Sequence, residues 1–220
     1  MRLQLALDEK SLVAALEVLD AIGNEVDIIE CGTVLLMSEG LRAIAEIKNR
    51  FPEKPVLADT RIARAGSLFS KLACEAGADA VTAVAEAPDD VLHECRSATL
   101  AESAKFEIEL NHSATFEEIR RTLLFSPDSI IVHHNNGIDF RHDGWIRSAL
   151  NFLSEEREKS RVGISLAGGM GPEQLRDLDK NWGISTVVVG SSITASSNPA
   201  RALELCKLEL VGLEGESIAV

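Results

Sequence analysis

Short apolar runs alternate with helical patterns along almost the whole chain, and that repetition is what most restricts its fold. Leu3–Leu7 reads as a strand. Ser11–Ile22 follows with Leu12, Ala15, Leu16 and Leu19 at helical spacing and Ser11 placed to cap. The same reading gives a strand over Val26–Glu30, a helix over Ser38–Asn49, a strand over Pro55–Asp59 and a helix over Gly66–Ala76 that stops at Gly77. It continues with a strand over Ala80–Val84, a helix over Pro88–Ala101 with proline in its first turn, and a strand over Phe106–Leu110. A helix over Thr115–Leu124 carries the capping-box pair Thr115 and Glu118, and a strand over Ser129–His133 follows. The last units are a helix over Asp143–Lys159, a strand over Val162–Leu166, a helix over Pro172–Leu178, a strand over Thr186–Val189 and a helix over Pro199–Val211. Strand and helix thus alternate in series with no linker-like break. That predicts an α/β protein with a single (β/α)8 TIM barrel over residues 1–211, rather than an open doubly wound sheet. The tail 212–220 holds two glycines and two glutamates and is expected to fray.

Composition narrows the function classes. The formal charge of −13 disfavours nucleic acid, which needs a basic footprint. An acidic protein that takes a phosphorylated metabolite must build a locally positive site from arginines, a metal or helix N-termini. No run approaches the roughly 18 apolar residues of a membrane span. The first residues, Met1–Asp8, read as a strand rather than a signal peptide, so a cytoplasmic protein is expected. Cys31, Cys74, Cys95 and Cys206 are widely spaced, which favours reduced, structural thiols over a zinc or redox pair.

In a barrel, chemistry gathers where the strands end. The first three strands end in Asp8, in Glu30, and in Asp59 with Arg61. The fourth offers Thr82 and Ala85, the fifth ends in Glu109 with His112 beyond, and the sixth in His133 and His134. Asp59 and Arg61, two apart, are expected to point the same way. So many carboxylates in one mouth call for cations. Arg61 and Arg64 with a divalent metal at Glu30 and Asp59 would serve, and oxygen ligands favour Mg2+, or Mn2+, over zinc. The alternative is that these acids are rim residues facing water. His133 suits a general acid or base, or a hydrogen bond to a substrate hydroxyl; a rim histidine without such duty is the other reading. The seventh and eighth strands run into Ala167-Gly168-Gly169 and Gly190-Ser191-Ser192, each followed by a helix start. Backbone N–H groups freed there suit a phosphate.

Three segments then carry a resemblance: Leu3–Asp8, Val26–Thr33 and Val56–Asp59. Gly77–Thr82, Ala167–Gly169 and Val189–Thr194 extend it. Together they resemble the orotidine-monophosphate decarboxylase superfamily, in the branch of 3-hexulose-6-phosphate synthase and 3-keto-L-gulonate-6-phosphate decarboxylase. The resemblance implies a homodimeric barrel that binds a sugar phosphate and Mg2+ and works through an enediolate. By position it implies Glu30 and Asp59 as metal ligands and Asp8, Asp59, Arg61, Glu109 and His133 in the catalytic group. Asp8, Arg64, Asn136, Gly168, Gly169, Gly190 and Ser191 would contact substrate or its phosphate. The Val189–Thr194 segment is closer to the synthases, which join formaldehyde to ribulose 5-phosphate; the decarboxylases tend to carry an arginine after that glycine.

The chain departs from the family pattern in one motif above all. Where the family has Asp-x-Lys-x-x-Asp, this sequence has Asp59-Thr60-Arg61-Ile62-Ala63-Arg64. Arginine keeps the charge of lysine but does not release its proton. Residues 134–137, His-Asn-Asn-Gly, match neither the decarboxylase nor the synthase pattern. The expectation is therefore a carbon–carbon lyase of the synthase type. A decarboxylase, a catalytically silent sugar-phosphate binder, or an isomerase or epimerase on the same barrel are the alternatives.

Overall fold

The computed structural model describes residues 1–134 and 140–215, and over these eight parallel strands close into a barrel in the order in which they occur. The strands are β1 (Arg2–Leu7), β2 (Ile28–Cys31), β3 (Val56–Ile62), β4 (Ala80–Val84), β5 (Lys105–Leu110), β6 (Ser129–His133), β7 (Gly163–Ala167) and β8 (Thr186–Val189), and β8 pairs back onto β1. Around them run α1 (Leu12–Ile22), α2 (Thr33–Glu39), α3 (Arg42–Arg50), α4 (Gly66–Glu75), α5 (Asp89–Ala101) and α6 (Phe116–Leu123). They are followed by α7 (Gly144–Ser160), α8 (Pro172–Arg176), α9 (Ser191–Thr194) and α10 (Pro199–Gly215).

Local chemistry explains most boundaries. Ser11 accepts the Ala14 N–H and caps α1, and Thr115 with Glu118 closes a reciprocal capping box on α6. Such caps contribute roughly 1 kcal/mol each. The single helix expected over 38–49 is instead two. Thr33–Glu39 forms a helix of its own, and Gly40 at φ +64 ends it before α3 begins. Pro88 is the cap of α5 rather than a member of its first turn. α10 runs through Gly215, four residues into the stretch expected to fray.

The strand period of two sorts side chains to two sides of the barrel wall. Outward-facing Leu5, Ile29, Val81, Ile108, Val132 and Val187 join the inner faces of the helices in one large apolar cluster. The interior is divided differently. Ala6, Ile131, Ala167 and Val188 form a small apolar group at the C-terminal end, and Ile28, Leu57 and Ala80 another at the N-terminal end. Polar pairs lie among these interior positions: Gln4 with Glu30, Thr82 with Asp59, and Ser129 with Ser165. A buried polar pair that satisfies itself limits the cost of its desolvation. Each also leaves the barrel interior less apolar than one filled by branched aliphatics.

Candidate active site

β3 delivers the centre of the site through an irregularity. Its pairing with β4 is regular at Ala58 and Val81 but has shifted by the time Ile62 meets Ala83. The shift is absorbed at Arg61, whose φ of 45° lies in the left-handed region. For a residue with a Cβ that conformation costs on the order of 1 kcal/mol. The Arg61 N–H donates to Thr82 Oγ1 at 2.9 Å, and its guanidinium makes two ion pairs. Nε lies 3.1 Å from Asp59 Oδ2, and Nη2 lies 3.2 Å from Glu109 Oε2. Asp59 and Arg61 do meet, as their spacing suggested, but through a bulged strand end and not a regular one. Burial opposes the arginine's charge; Asp59 and Glu109 outweigh it and hold its pKa above the usual guanidinium range.

Asp59 is buried, and each of its oxygens accepts a hydroxyl hydrogen bond. Oδ1 accepts from the Thr82 hydroxyl at 2.8 Å, and Oδ2 accepts from the Thr33 hydroxyl at 2.6 Å. Glu30, on the neighbouring strand, accepts from Gln4 Nε2 at 2.6 Å. Burial and then the charge of Asp59 push the Glu30 carboxyl up to about 8, against the lowering effect of Gln4. Across the barrel, Glu109 Oε1 lies 2.9 Å from His133 Nδ1. Glu109 therefore joins Arg61 on one oxygen to His133 on the other. Asp8 is exposed at the mouth and accepts the Val34 N–H at 3.2 Å. A Cβ on Gly32 would strike Asp8, which explains the glycine that precedes α2.

The glycine loops form another wall. Gly168 and Gly169 have φ values of 92° and 59°. A Cβ on Gly168 would collide with the His134 carbonyl and the His133 ring, so this turn and the histidine depend on each other. Gly190 caps α9 and its carbonyl accepts the Ile193 N–H at 2.9 Å.

These groups surround one cavity of about 280 Å³ at the C-terminal mouth. Asp8, Glu30, Asp59, Arg61, Glu109, His133, Gly168, Gly169, Gly190 and Ser191 all line it. Arg64 is exposed and lies outside the lining, because the chain has turned away after β3. Asn136 lies outside the described residues. His112 and His134 meet Asp143 instead, at 2.8 and 3.7 Å. Burial, then Glu30 and Asp8, push the Cys31 thiol up to about 12, which marks it as a packing residue.

Sequence reading passed over three participants and gave Thr82, on the fourth strand, no role. Gln4, which holds Glu30, sits four positions before Asp8 on the same strand face, a visible period-two signal. Glu9, whose Oε2 is buried without a partner, also lines the cavity. Thr33 and the role of Thr82 carry no sequence signal, since only the barrel brings them to Asp59.

The donor set at Glu30 and Asp59 fits a hard divalent cation. Both offer carboxylate oxygens, and Glu30, raised first by burial and then by the charge of Asp59, has no cationic partner of its own at hydrogen-bond distance among the described residues. Among the described residues no group of three His, Cys, Asp or Glu side chains is arranged to hold a metal. Two carboxylates, with water and substrate oxygens completing the shell, is a donor set suited to Mg2+.

Comparison with known proteins gives the family and the fold. The orotidine 5′-phosphate decarboxylase / HUMPS family matches residues 1–206. The 3-keto-L-gulonate-6-phosphate decarboxylase UlaD of Escherichia fergusonii is 31% identical over 216 residues, covering 97% of this chain and 98% of the relative. Among solved structures, KGPDC from Streptococcus mutans, crystallised as a complex, superposes with a TM-score of 0.87 at 28% identity, over 96% of this chain and 98% of the other. The 3-hexulose-6-phosphate synthase from Salmonella typhimurium gives a TM-score of 0.85 at 30% identity, over 97% and 100%.

Proposed function

The chain belongs to the orotidine 5′-phosphate decarboxylase / HUMPS family, and from that premise we propose that it is a sugar-phosphate carbon–carbon lyase of the 3-hexulose-6-phosphate synthase type. In this reading ribulose 5-phosphate loses a proton beside its ketone and the resulting enediolate carbon attacks formaldehyde. The observation that carries the choice is the charge of the cavity. Asp8, Glu9, Glu30, Asp59 and Glu109 line it against the single guanidinium of Arg61 among the described residues. A substrate bringing a further carboxylate to that wall meets like charge, whereas formaldehyde is neutral.

The roles follow from the contacts. Glu109 accepts the His133 Nδ1 proton, which leaves Nε2 as the basic nitrogen for proton transfer. Arg61 keeps its proton and fixes the facing oxygens of Asp59 and Glu109, so it orients the two acids and is not itself the proton donor. Gly168, Gly169, Gly190 and Ser191 offer main-chain and hydroxyl donors to the phosphate. Mg2+ held by Glu30 and Asp59 would supply positive charge beside the developing oxyanion.

We further read the active form as a homodimer. Val34 and Met37 on α2 and Leu68 and Phe69 on α4 are exposed, and these helices follow neighbouring strands. Arg64 is exposed just ahead of α4, which suits a role at that contact. Light scattering checks the oligomer, and a monomer at working concentration would refute it.

The reaction is tested by incubating the protein and Mg2+ with ribulose 5-phosphate and formaldehyde, and separately with 3-keto-L-gulonate 6-phosphate. A hexulose 6-phosphate product in the first supports the synthase. CO2 release in the second alone would replace it with the decarboxylase. Ligand-induced stabilisation without turnover in either would leave a binding homologue. The variant carrying Arg61→Lys and Arg64→Asp then shows whether the altered motif sets the rate.

A further inference from the structure

A second cavity, of about 260 Å³, opens at the N-terminal mouth of the barrel, the end opposite the candidate active site. Its charge is reversed. Arg2, Lys48, Lys54 and Lys105 line it, against Glu53, Asp79 and Glu107. Several of these charges are already committed. Lys48 Nζ and the Val56 N–H both bind Asp79, and Lys54 Nζ donates to the carbonyls of Asn24 and Val26. Two cations retain capacity. Lys105 makes no side-chain hydrogen bond or ion pair among the described residues, and Arg2 uses Nη2 on Thr186 Oγ1 at 3.0 Å. Between them lies Glu107. It is 5% exposed, and its Oε2 is buried with no hydrogen-bond partner.

An orphaned polar atom in a cationic pocket indicates an unmet interaction. We propose that the N-terminal mouth is a binding site for a small oxyanion, a phosphate- or carboxylate-bearing molecule, held by Lys105 and Arg2 beside the unpartnered Glu107 carboxyl. This site is separate from the proposed reaction and does not rest on it. Burial pushes the Glu107 carboxyl up to about 7, against the charges of Arg2 and Lys105 and with that of Asp128. Near neutrality a substantial share of the group is therefore protonated and uncharged.

The test is calorimetric titration of the full chain with sulfate and with malonate at fixed ionic strength, chloride serving as the screening control. Saturable binding of sulfate alone assigns the site to phosphate-like anions, and of malonate to carboxylates. Lys105→Ala changes an exposed side chain and leaves the fold intact; it should weaken binding roughly tenfold. Glu107→Gln keeps a neutral group at the position and should retain binding. An anomalous selenate peak beside Lys105 and Arg2 would place the anion. Binding unchanged in Lys105→Ala, selenate only at the opposite mouth, or an effect reproduced by chloride would each overturn the proposal.

Discussion

The two mouths of this barrel carry opposite charge. At the C-terminal end five carboxylates face Arg61, and at the N-terminal end four cations face three acids, one of them the buried Glu107. Parallel strands explain how a short sequence pattern produces this. Every strand starts at one end and stops at the other, so residues that open strands, such as Arg2 and Lys105, gather at one mouth. Those that close them, Asp8, Glu30, Asp59 and Glu109, gather at the other. The two ends also commit their polar groups differently. Asp59, Glu30 and Glu109 above are tied to threonines, a glutamine, a histidine and an arginine, whereas Glu107 below, like Glu9 above, has an oxygen with no partner. The proposed chemistry at one mouth and the proposed anion site at the other both follow from which residues close and which open the strands.

Substitutions that separate the mouths test this contrast. The largest effect is expected above. Asp59→Asn removes the negative charge and one of the two oxygens that accept from Thr33, Thr82 and Arg61, and should lower kcat/KM by about 10³-fold. Steady-state kinetics with saturating Mg2+ checks this, and a loss under tenfold would remove Asp59 from the catalytic group. Glu109→Gln should lower kcat by about 10²-fold and shift the pH profile, since it no longer fixes the His133 tautomer as an ionised acceptor. A pure KM effect would reduce Glu109 to a substrate contact.

Gly168→Ala should cost roughly 2 kcal/mol by denaturant unfolding, because the Cβ meets the His134 carbonyl at a positive φ. An unchanged midpoint would show that the turn can give. Below, the sign reverses. The folded Glu107 carboxyl titrates near 7, above its unfolded value near 4.5, so the native chain holds a proton that the unfolded chain loses earlier. The resulting penalty grows as pH rises from about 4.5 to 7 and is complete above that. Glu107→Gln should therefore be more stable than the parent by up to about 3 kcal/mol at pH 8, with the gain gone near pH 4.5. A gain independent of pH would trace to packing. Lys105→Ala, at an exposed position, should change stability by less than about 0.5 kcal/mol in the absence of anion. Any larger loss would tie that lysine to Glu107 as a structural partner.

Much of this was legible from residues alone. Eight alternations of period two and period 3.6 leave few closed solutions besides the barrel, and strand polarity then assigns Glu30, Asp59, Glu109 and His133 to one mouth. What periodicity misread were places where one residue overrode a pattern. Gly40 cut the second helix in two, and Pro88 served as a cap. Arg64, which the resemblance implies as a substrate contact, lies outside the lining of the cavity, beyond the irregularity at Arg61.

The sequence by itself determined the barrel, the direction of its strands and so which charges share an end, because periodicity and handedness act locally and repeat. Only the tertiary structure decided which groups bond to which. Thr33 and Thr82 on Asp59, Gln4 on Glu30, and Arg61 between two carboxylates are contacts across strands, set by barrel closure and register. The free oxygen of Glu107 belongs to the same category, since whether a buried group is satisfied depends on every neighbour the closed barrel brings to it.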